Sequence, residues 1–189
     1  MTPIQQRTTT PQRPTTQEGR PDLTSNASGA NPTSEFFSLL ARSGLHDALG
    51  YLNGRTRFRF TGVYRCEPPV LVIESLYDRE NPSLEQCGGV RQLDGTFCSI
   101  VLATGEVFAT GNAPADPRLE GYSARREIIS YSGAPIRMPS GRIAGVLCHY
   151  DLRLRLLPQG ELEVLESVTP YLAHYLETQR PGDPQGVTP

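Results

Sequence analysis

The chain has 189 residues, a formal net charge of -2 at pH 7 and a mean hydropathy of -0.37. This length predicts one domain with room for a long tail. All of its basic side chains other than histidine are arginines, which excludes a lysine Schiff base and a P-loop lysine. No window approaches the roughly 18 consecutive apolar residues of a membrane span, so we predict a cytoplasmic protein that does not contact membranes.

Both ends of the chain are poor in large apolar side chains. Residues 1–33 contain Met1, Ile4 and Leu23 among many Thr, Pro and Gln, and residues 180–189 are rich in Pro and Gly. Such segments bury too little apolar surface to offset the entropy lost on ordering. We therefore predict a disordered tail at 1–33, a folded domain at 34–179 and a disordered C-terminus at 180–189.

The folded region begins with a predicted amphipathic helix followed by a hairpin. Apolar residues recur at intervals of three and four over 34–52, Ser34 can cap this helix, and Asn53-Gly54 supplies its end. Residues 57–65 then alternate with a period of two, which predicts a strand, and Arg55, Arg57, Arg59 and Arg65 are expected on its solvent face. This placement gives little support to nucleic-acid binding. The next strand, 70–78, follows after a short turn and must be antiparallel.

The second half of the domain contains short elements and then a second hairpin. The pattern at 96–104 predicts a short helix capped by Thr96 or Asp94. Residues 106–112 are predicted to form a strand, and residues 116–127 a polar helix. Two strands, 128–138 and 142–152, are joined by Pro-Ser-Gly. The second of them is apolar on both faces, so we expect it at the centre of the sheet.

A final amphipathic helix is predicted from Pro158, with Pro170 expected to kink it. Each terminal helix has one apolar face to bury. The simplest arrangement packs both helices on one face of an antiparallel sheet and covers the other face with residues 79–127. The sequence therefore predicts an α+β fold with a central sheet of five to six strands.

The residues SYSGAPIRMPSGRIAGVLCHYD and DGTFCSIVLATGEVF, with Asp116-Pro117-Arg118 after them, resemble GAF domains over about 45 to 178. The match is to a bacterial subgroup that carries a Phe-Cys pair. GAF domains are small sensory modules, and the resemblance implies terminal helices on one sheet face, often forming a dimer contact, and a ligand pocket on the other. The bilin-attaching and free methionine sulfoxide reductase patterns of the family are not found at the corresponding positions.

We predict that eight residues line the pocket of this domain. Arg118 is expected to pair with an anionic ligand group and Asp116 to accept hydrogen bonds, or else both cap a short helix. The predicted residues are Tyr77, Phe97, Cys98, Phe108, Asp116, Arg118, Tyr131 and Cys148.

The four cysteines allow two interpretations. In a reducing compartment Cys98 and Cys148 are either small apolar filler or a reactive pair, with Cys98 near a helix N-terminus and Cys87 exposed in a loop. A metal site is not expected, because no close ligand pair exists and Cys148 and His149 point to opposite faces of a strand.

Together these observations predict a GAF-type sensory or regulatory module rather than an enzyme. We expect it to bind a small molecule, to form a homodimer through the helices near 34–52 and 160–178, and to signal through a protein partner or a change in self-association. No cofactor can be assigned. Two alternatives remain open: a thiol redox sensor or reductase that uses Cys98 with Cys148 or Cys87, and a dimeric interaction module without a ligand.

Overall fold

The structure, a computed structural model, describes residues 31–178. Four helices are formed: α1 Pro32–Ser43, α2 Leu45–Gly54, α3 Phe97–Thr104 and α4 Glu161–Thr178. Six strands are formed: β1 Phe60–Glu67, β2 Val70–Asp78, β3 Val90–Gln92, β4 Phe108–Thr110, β5 Ser130–Arg137 and β6 Ile143–Asp151. The tails predicted at 1–33 and 180–189 lie almost wholly outside the described residues.

All six strands form one antiparallel sheet in the order β3-β2-β1-β6-β5-β4. The predicted α+β fold with five to six strands is confirmed. Strand β6 lies between β1 and β5, as its apolar residues on both faces indicate. The two edge strands, β3 and β4, have three residues each.

One face of the sheet, which we call the helix face, carries the long helices. Helices α1, α2 and α4 pack there against β1, β5 and β6, and their apolar faces form one buried cluster. The largest side chains of this cluster that are fully buried are Phe36, Leu49, Leu52, Ile136, Leu147, Leu165 and Leu172. No helix in the described part of the chain is long and apolar enough to cross a membrane.

The first predicted helix is divided into two. Gly44 adopts φ 90° and ψ 179°, a conformation that other residues rarely adopt, and the chain changes direction between α1 and α2. Asn31 caps α1 by accepting a hydrogen bond from the backbone N–H of Thr33. A single helix over 34–52 is therefore wrong, although the residues predicted to be helical are helical on both sides of Gly44.

The first strand begins three residues later than the predicted start at Arg57. Residues 55–59 form a turn in which the Asn53 carboxamide donates to the carbonyl oxygens of Phe58 and Arg59. The backbone N–H of Arg59 donates to the Asp151 carboxylate. These side-chain hydrogen bonds replace a strand ladder, so Arg55, Arg57 and Arg59 do not lie on the solvent face of a strand.

The other face of the sheet, which we call the loop-covered face, is covered by α3 and by residues 111–128. The predicted cover of 79–127 is too wide, because 90–92 and 108–110 are strands of the sheet and the carbonyl oxygen of Pro82 lies 2.8 Å from His46 Nε2 of α2. Thr96 caps α3 by accepting from the backbone N–H of Ser99, as predicted. Three short 3-10 helices, at 113–115, 117–119 and 123–126, take the place of the single helix predicted at 116–127. Gly121, at φ +92°, interrupts that stretch. Edge strand β3 was not predicted.

Candidate functional site

The floor of the loop-covered face has three small residues in a row across its central strands. Cys148 of β6 pairs with Gly62 of β1 on one side and with Gly133 of β5 on the other. Two glycines and a cysteine leave a shallow depression in the sheet surface, because neither glycine projects a side chain from it.

Two tyrosine rings fill this depression. A β-carbon at Gly133 would meet the ring of Tyr131, whose Cζ would be 2.8 Å away, and one at Gly62 would be 3.0 Å from Cε2 of Tyr64. The hydroxyl end of the Tyr131 ring therefore lies over Gly133, and the Cε2 edge of the Tyr64 ring lies beside Gly62, on the two sides of Cys148. The Tyr64 hydroxyl donates to that of Tyr150 at 3.2 Å.

The roof above the rings comes from α3 and the three 3-10 helices, while Phe108 reaches the rings from edge strand β4 of the sheet itself. Phe97 packs edge-on against Tyr131 with 5.5 Å between ring centroids, and Phe108 lies 6.2 Å from Tyr131. Both phenylalanines and Tyr131 are at least nine-tenths buried. Floor, rings and roof form one contiguous cluster of aromatic, aliphatic and thiol side chains.

Two thiols lie inside this cluster. Cys98 of α3 and Cys148 of β6 are both buried members of it, and the Tyr131 hydroxyl donates to Cys98 Sγ at 3.4 Å. The hydrogen bond from Cys148 lowers the pKa of Cys98, whereas the pKa of Cys148 is raised well above its usual value by Cys98 and by burial. Burial also raises the pKa of Tyr131 well above its usual value. If either thiol ionises first, it is that of Cys98.

Asp116 and Arg118 lie at the rim of the roof and bind each other. Arg118 Nε and Nη2 donate to the two carboxylate oxygens at 2.9 and 2.6 Å, and the guanidinium lies 4.7 Å from the ring centroid of Phe108. Asp116 also caps the turn at the backbone N–H of Arg118. Arg118 holds the pKa of this carboxyl well below its usual range. The capping interpretation describes these contacts, and a role in ligand binding stays a prediction.

The prediction that Tyr77 lies on the loop-covered face is wrong. A β-bulge at Glu74 shifts the register between β1 and β2, so Val63 pairs with Ser75 while Tyr64 pairs with Ile73. The extra residue reverses the alternation that follows it. Tyr77 therefore lies on the helix face, where its ring packs 5.3 Å from His46.

His149 lies on the helix face, directly behind Cys148. Its Nδ1 is 2.6 Å from the hydroxyl of Thr61, which accepts from the Asn53 carboxamide at 2.9 Å. Either atom of the Nδ1–hydroxyl pair can be the donor, depending on the tautomer of the neutral ring. Neither Nε2 nor the hydroxyl of Ser132, its partner on β5, has a hydrogen-bond partner within the described residues.

The electrostatic state of His149 follows from this environment. Complete burial, with a smaller effect of the charge on Arg79, lowers the pKa of His149 to about 3. The ring is neutral at pH 7. As predicted, Cys148 and His149 point to opposite faces of the strand, and Cys87 is exposed.

The described residues contain no group of three or more His, Cys, Asp and Glu side chains that could hold a metal ion. All four cysteines are free thiols. The distinguishing features of the site are therefore its aromatic rings and the two neighbouring thiols of Cys98 and Cys148.

Comparison with known proteins agrees with this architecture. A family model described as GAF domain matches residues 38–176. The chain therefore belongs to the GAF domain family, a family of sensory and regulatory modules. A search of curated proteins gives no significant match.

Solved structures share the fold at low sequence identity. The GAF domain of an Acinetobacter phosphoenolpyruvate-protein phosphotransferase is 15% identical over 78% of this chain and 91% of its own, with a TM-score of 0.60. The free methionine-R-sulfoxide reductase of Neisseria meningitidis, solved with its substrate, is 18% identical over 77% of this chain and 86% of its own, with a TM-score of 0.60. A type II reductase of the same kind from Thermoplasma acidophilum is 15% identical over 78% and 96%, with a TM-score of 0.57.

Five of the eight predicted residues come together on the loop-covered face: Phe97, Cys98, Phe108, Tyr131 and Cys148. Sequence reasoning missed Tyr64 and the two glycines of the floor. The signal for them was present, since Gly62 and Tyr64 occupy the same face of an alternating strand and Tyr131 and Gly133 repeat that spacing in β5.

Proposed function

We propose that this protein is a sensory or regulatory GAF module that binds a small, flat, uncharged molecule on the loop-covered face, and that it is not an enzyme. The observation that carries the proposal is the floor of Gly62, Cys148 and Gly133 with tyrosine rings lying over it. The space that these two phenol rings occupy above the glycines also fits another planar ring of similar size. A ligand would replace Tyr64 or Tyr131 there.

The composition of the cluster supports an uncharged ligand. Its buried members are aromatic, aliphatic or thiol side chains, and burial raises the pKa of both Tyr64 and Tyr131 well above the usual value. A charged ligand would lose its hydration without gaining a partner of opposite charge. The polar groups available for orientation are the two tyrosine hydroxyls and the Cys98 thiol.

The roof is suited to opening. It consists of an eight-residue helix and three 3-10 helices of three or four residues, joined by loops. Such short elements open at a lower free-energy cost than the central strands, because few backbone hydrogen bonds hold each of them. Ligand entry beneath α3 therefore leaves the sheet intact.

We propose that the signal leaves through the terminal helices, by self-association or through a protein partner in the cytoplasm. The outer surface of α1 and α4 carries Phe37, which is 51% exposed and stacks on Tyr171 with 5.0 Å between ring centroids. The exposed Phe37, packed on the half-buried Tyr171 of the adjacent helix, supports a contact with a second copy of the chain.

Native mass spectrometry of the full chain, followed by titration with indole, nicotinamide and hypoxanthine, tests the ligand proposal. We expect a noncovalent adduct that is lost on denaturation. Cys148→Met fills the floor and should weaken binding about tenfold or more, since a planar ligand loses its contact surface. Cys66→Met, the same change on a half-buried cysteine of β1, serves as the control.

A second variant keeps the test valid if Cys148→Met does not fold. Gly62→Ala places a β-carbon 3.0 Å from Tyr64 Cε2 and should weaken binding more mildly while circular dichroism stays unchanged. A wild-type protein that is purified without a bound ligand and binds none of the three probes would contradict the ligand proposal. If that protein also formed a stable dimer, the interaction-module alternative would replace it.

A thiol redox sensor is the second candidate, favoured by the presence of Cys98 and Cys148 in one buried cluster. The Cys98 thiolate would attack hydrogen peroxide to give a sulfenic acid and hydroxide. The Cys148 thiol would then displace that oxygen as water, leaving a disulfide, so peroxide takes two electrons from the two sulfurs. Access is the obstacle, because Cys98 is 6% exposed and Cys148 is 0% exposed.

Peroxide treatment followed by thiol labelling separates this candidate from the first. If the pair is redox-active, the wild type loses two labelled thiols and the mass of two hydrogens, while Cys98→Ser loses neither and Cys87→Ser behaves as the wild type. The same proteins are incubated with free methionine-R-sulfoxide and a thiol reductant. Equal labelling of all cysteines before and after peroxide rejects the redox sensor, and absence of turnover rejects a reductase.

A further inference from the structure

A second concave site lies at one end of the sheet, away from the loop-covered face. Here β1 begins, β2 ends and β6 ends, and the chain segments beside these strand ends enclose a cleft of about 300 Å³. Eight residues line it: Arg57, Arg59, Arg79, Glu80, Asp151, Leu152, Arg153 and Arg155. Five arginines in one cleft contrast with the negative net charge of the chain.

Buried carboxylates hold some of these arginines in place. Arg59 donates from Nε and Nη2 to both oxygens of Asp78 at 2.9 Å, and Arg155 Nε donates to Asp151 at 2.7 Å. The side chains of Asp78 and Asp151 are 4% and 3% exposed. Hydrogen bonds from Arg59 lower the pKa of Asp78 to about 2. These guanidinium groups are therefore fixed by the fold instead of moving freely in solvent.

Arg79 is fixed in a different way. Its guanidinium donates to the carboxamide oxygen of Asn53 at 3.0 Å and to the carbonyl oxygens of Asn53 and Thr56, at the C-terminal end of α2. All of these acceptors are formally neutral. The charge on Arg79 consequently has no carboxylate partner within residues 31–178.

Two more arginines of the cleft are exposed and lack a carboxylate partner in the described part of the chain: Arg57 and Arg153. Three carboxylates lie beside the five arginines: those of Glu80 and Asp151 in the lining and that of Asp78 behind Arg59. The cleft therefore carries an excess of two positive charges. That excess matches the charge of one phosphate group, and arginine forks bind phosphate oxygens in pairs.

We propose that this cleft binds the phosphate group of a small phosphorylated molecule, with Arg57 and Arg153 as its main ligands and the organic part of the molecule against Leu152. The cleft volume is at the low end of the range for small-molecule sites, about 300 to 1,000 Å³. Leu152 lies in the lining and is 48% exposed, so it offers an apolar contact beside the charge. The cleft is separate from the floor of the loop-covered face, and its test is independent of the ligand proposed there.

Calorimetric titration of the full chain with phenyl phosphate and with inorganic phosphate, at low salt, tests the site. We expect phenyl phosphate to bind more tightly than inorganic phosphate, and both to weaken as salt is raised. The double variant Arg57→Gln/Arg153→Gln should lose about tenfold or more in affinity, because two charge-assisted hydrogen-bonding groups are removed. Arg91→Gln/Arg126→Gln removes the same charge from two exposed arginines outside the cleft and should stay within about twofold of the wild type.

Vesicles of phosphatidylcholine with phosphatidylglycerol form the second arm, because Leu154 and Leu156, next to the cleft, are also exposed. Sedimentation with these vesicles that depends on Arg57 and Arg153, without binding of phenyl phosphate, would overturn the small-molecule proposal and assign the cleft to a lipid surface. Equal losses of affinity in both double variants would show binding to general surface charge and would also overturn the small-molecule proposal. The absence of any binding would overturn it as well.

Discussion

Replacing Gly145 by alanine is expected to destabilise the fold by about 3 kcal/mol or more. Gly145 lies in β6 and pairs with Arg65 of β1 and Ile136 of β5, in the middle of the sheet. A β-carbon there would overlap the carbonyl oxygen of Tyr64 and lie 3.1 Å from its carbonyl carbon and 3.2 Å from Cα of Arg65. These atoms belong to the backbone of a central strand, so they move only if β1 and β6 separate.

Urea unfolding followed by circular dichroism measures this effect. Gly54→Ala is the matched control, because a β-carbon at the end of α2 meets no atom within 4 Å. We expect that variant to unfold within about 0.5 kcal/mol of the wild type. A Gly145→Ala protein as stable as the control would contradict the close approach of the two central strands.

Acid is expected to destabilise the protein through His149 before its buried carboxylates contribute. The pKa of His149 is about 3 in the folded chain and about 6.5 in an unfolded one. Below pH 6.5 the unfolded state binds a proton that the folded state does not bind, so stability falls as the pH is lowered. The loss attributable to this ring reaches about 4 kcal/mol near pH 3, and about 2 kcal/mol of it falls between pH 6.5 and 4.5.

Asp78 acts in a lower range. Its pKa of about 2 lies below the usual value, so the stability it contributes is present above about pH 4 and is lost as the pH falls toward 2. Urea unfolding at pH 6.5, 5.5 and 4.5 therefore isolates His149. His149→Gln should flatten the pH dependence even if it lowers stability overall, while His174→Gln, at an exposed histidine of α4, should leave it unchanged. A His149 ring signal that titrates near pH 6.5 in NMR would refute this account.

The central part of the fold was predictable because its residues leave few choices. The Pro-Ser-Gly turn joins β5 to β6, and the apolar residues on both faces of β6 place that strand where both faces are covered. Thr96 at the start of α3 was predictable for a similarly local reason, since its hydroxyl accepts from the backbone N–H of Ser99 three residues later.

The remaining differences arise from contacts between segments distant in sequence. Alternation alone could not reveal the bulge at Glu74, which moves Tyr77 to the helix face. The pattern of arginines at 55–59 looked like a strand, yet the Asn53 carboxamide and the Asp151 carboxylate hold those residues as a turn. That error is informative, because the same turn brings Arg57 into the cleft.

The residues of the site were largely predictable from the sequence, but the arrangement of the glycines around Cys148 was not. Phe97, Cys98, Tyr131 and Cys148 were identified from the resemblance to GAF domains, and the structure brings them together. The role of the glycines depends on which residues pair across β1, β6 and β5, and register is a property of the assembled sheet.

The two short edge strands restrict how copies of this protein can associate. Strands β3 and β4 each offer only three residues of backbone, so continuing the sheet from one copy into the next would gain few hydrogen bonds. Growth of fibres by edge-to-edge pairing is disfavoured for the same reason. Association is left to side-chain surfaces such as that of α1 and α4, where contact can close as a symmetric pair instead of extending indefinitely.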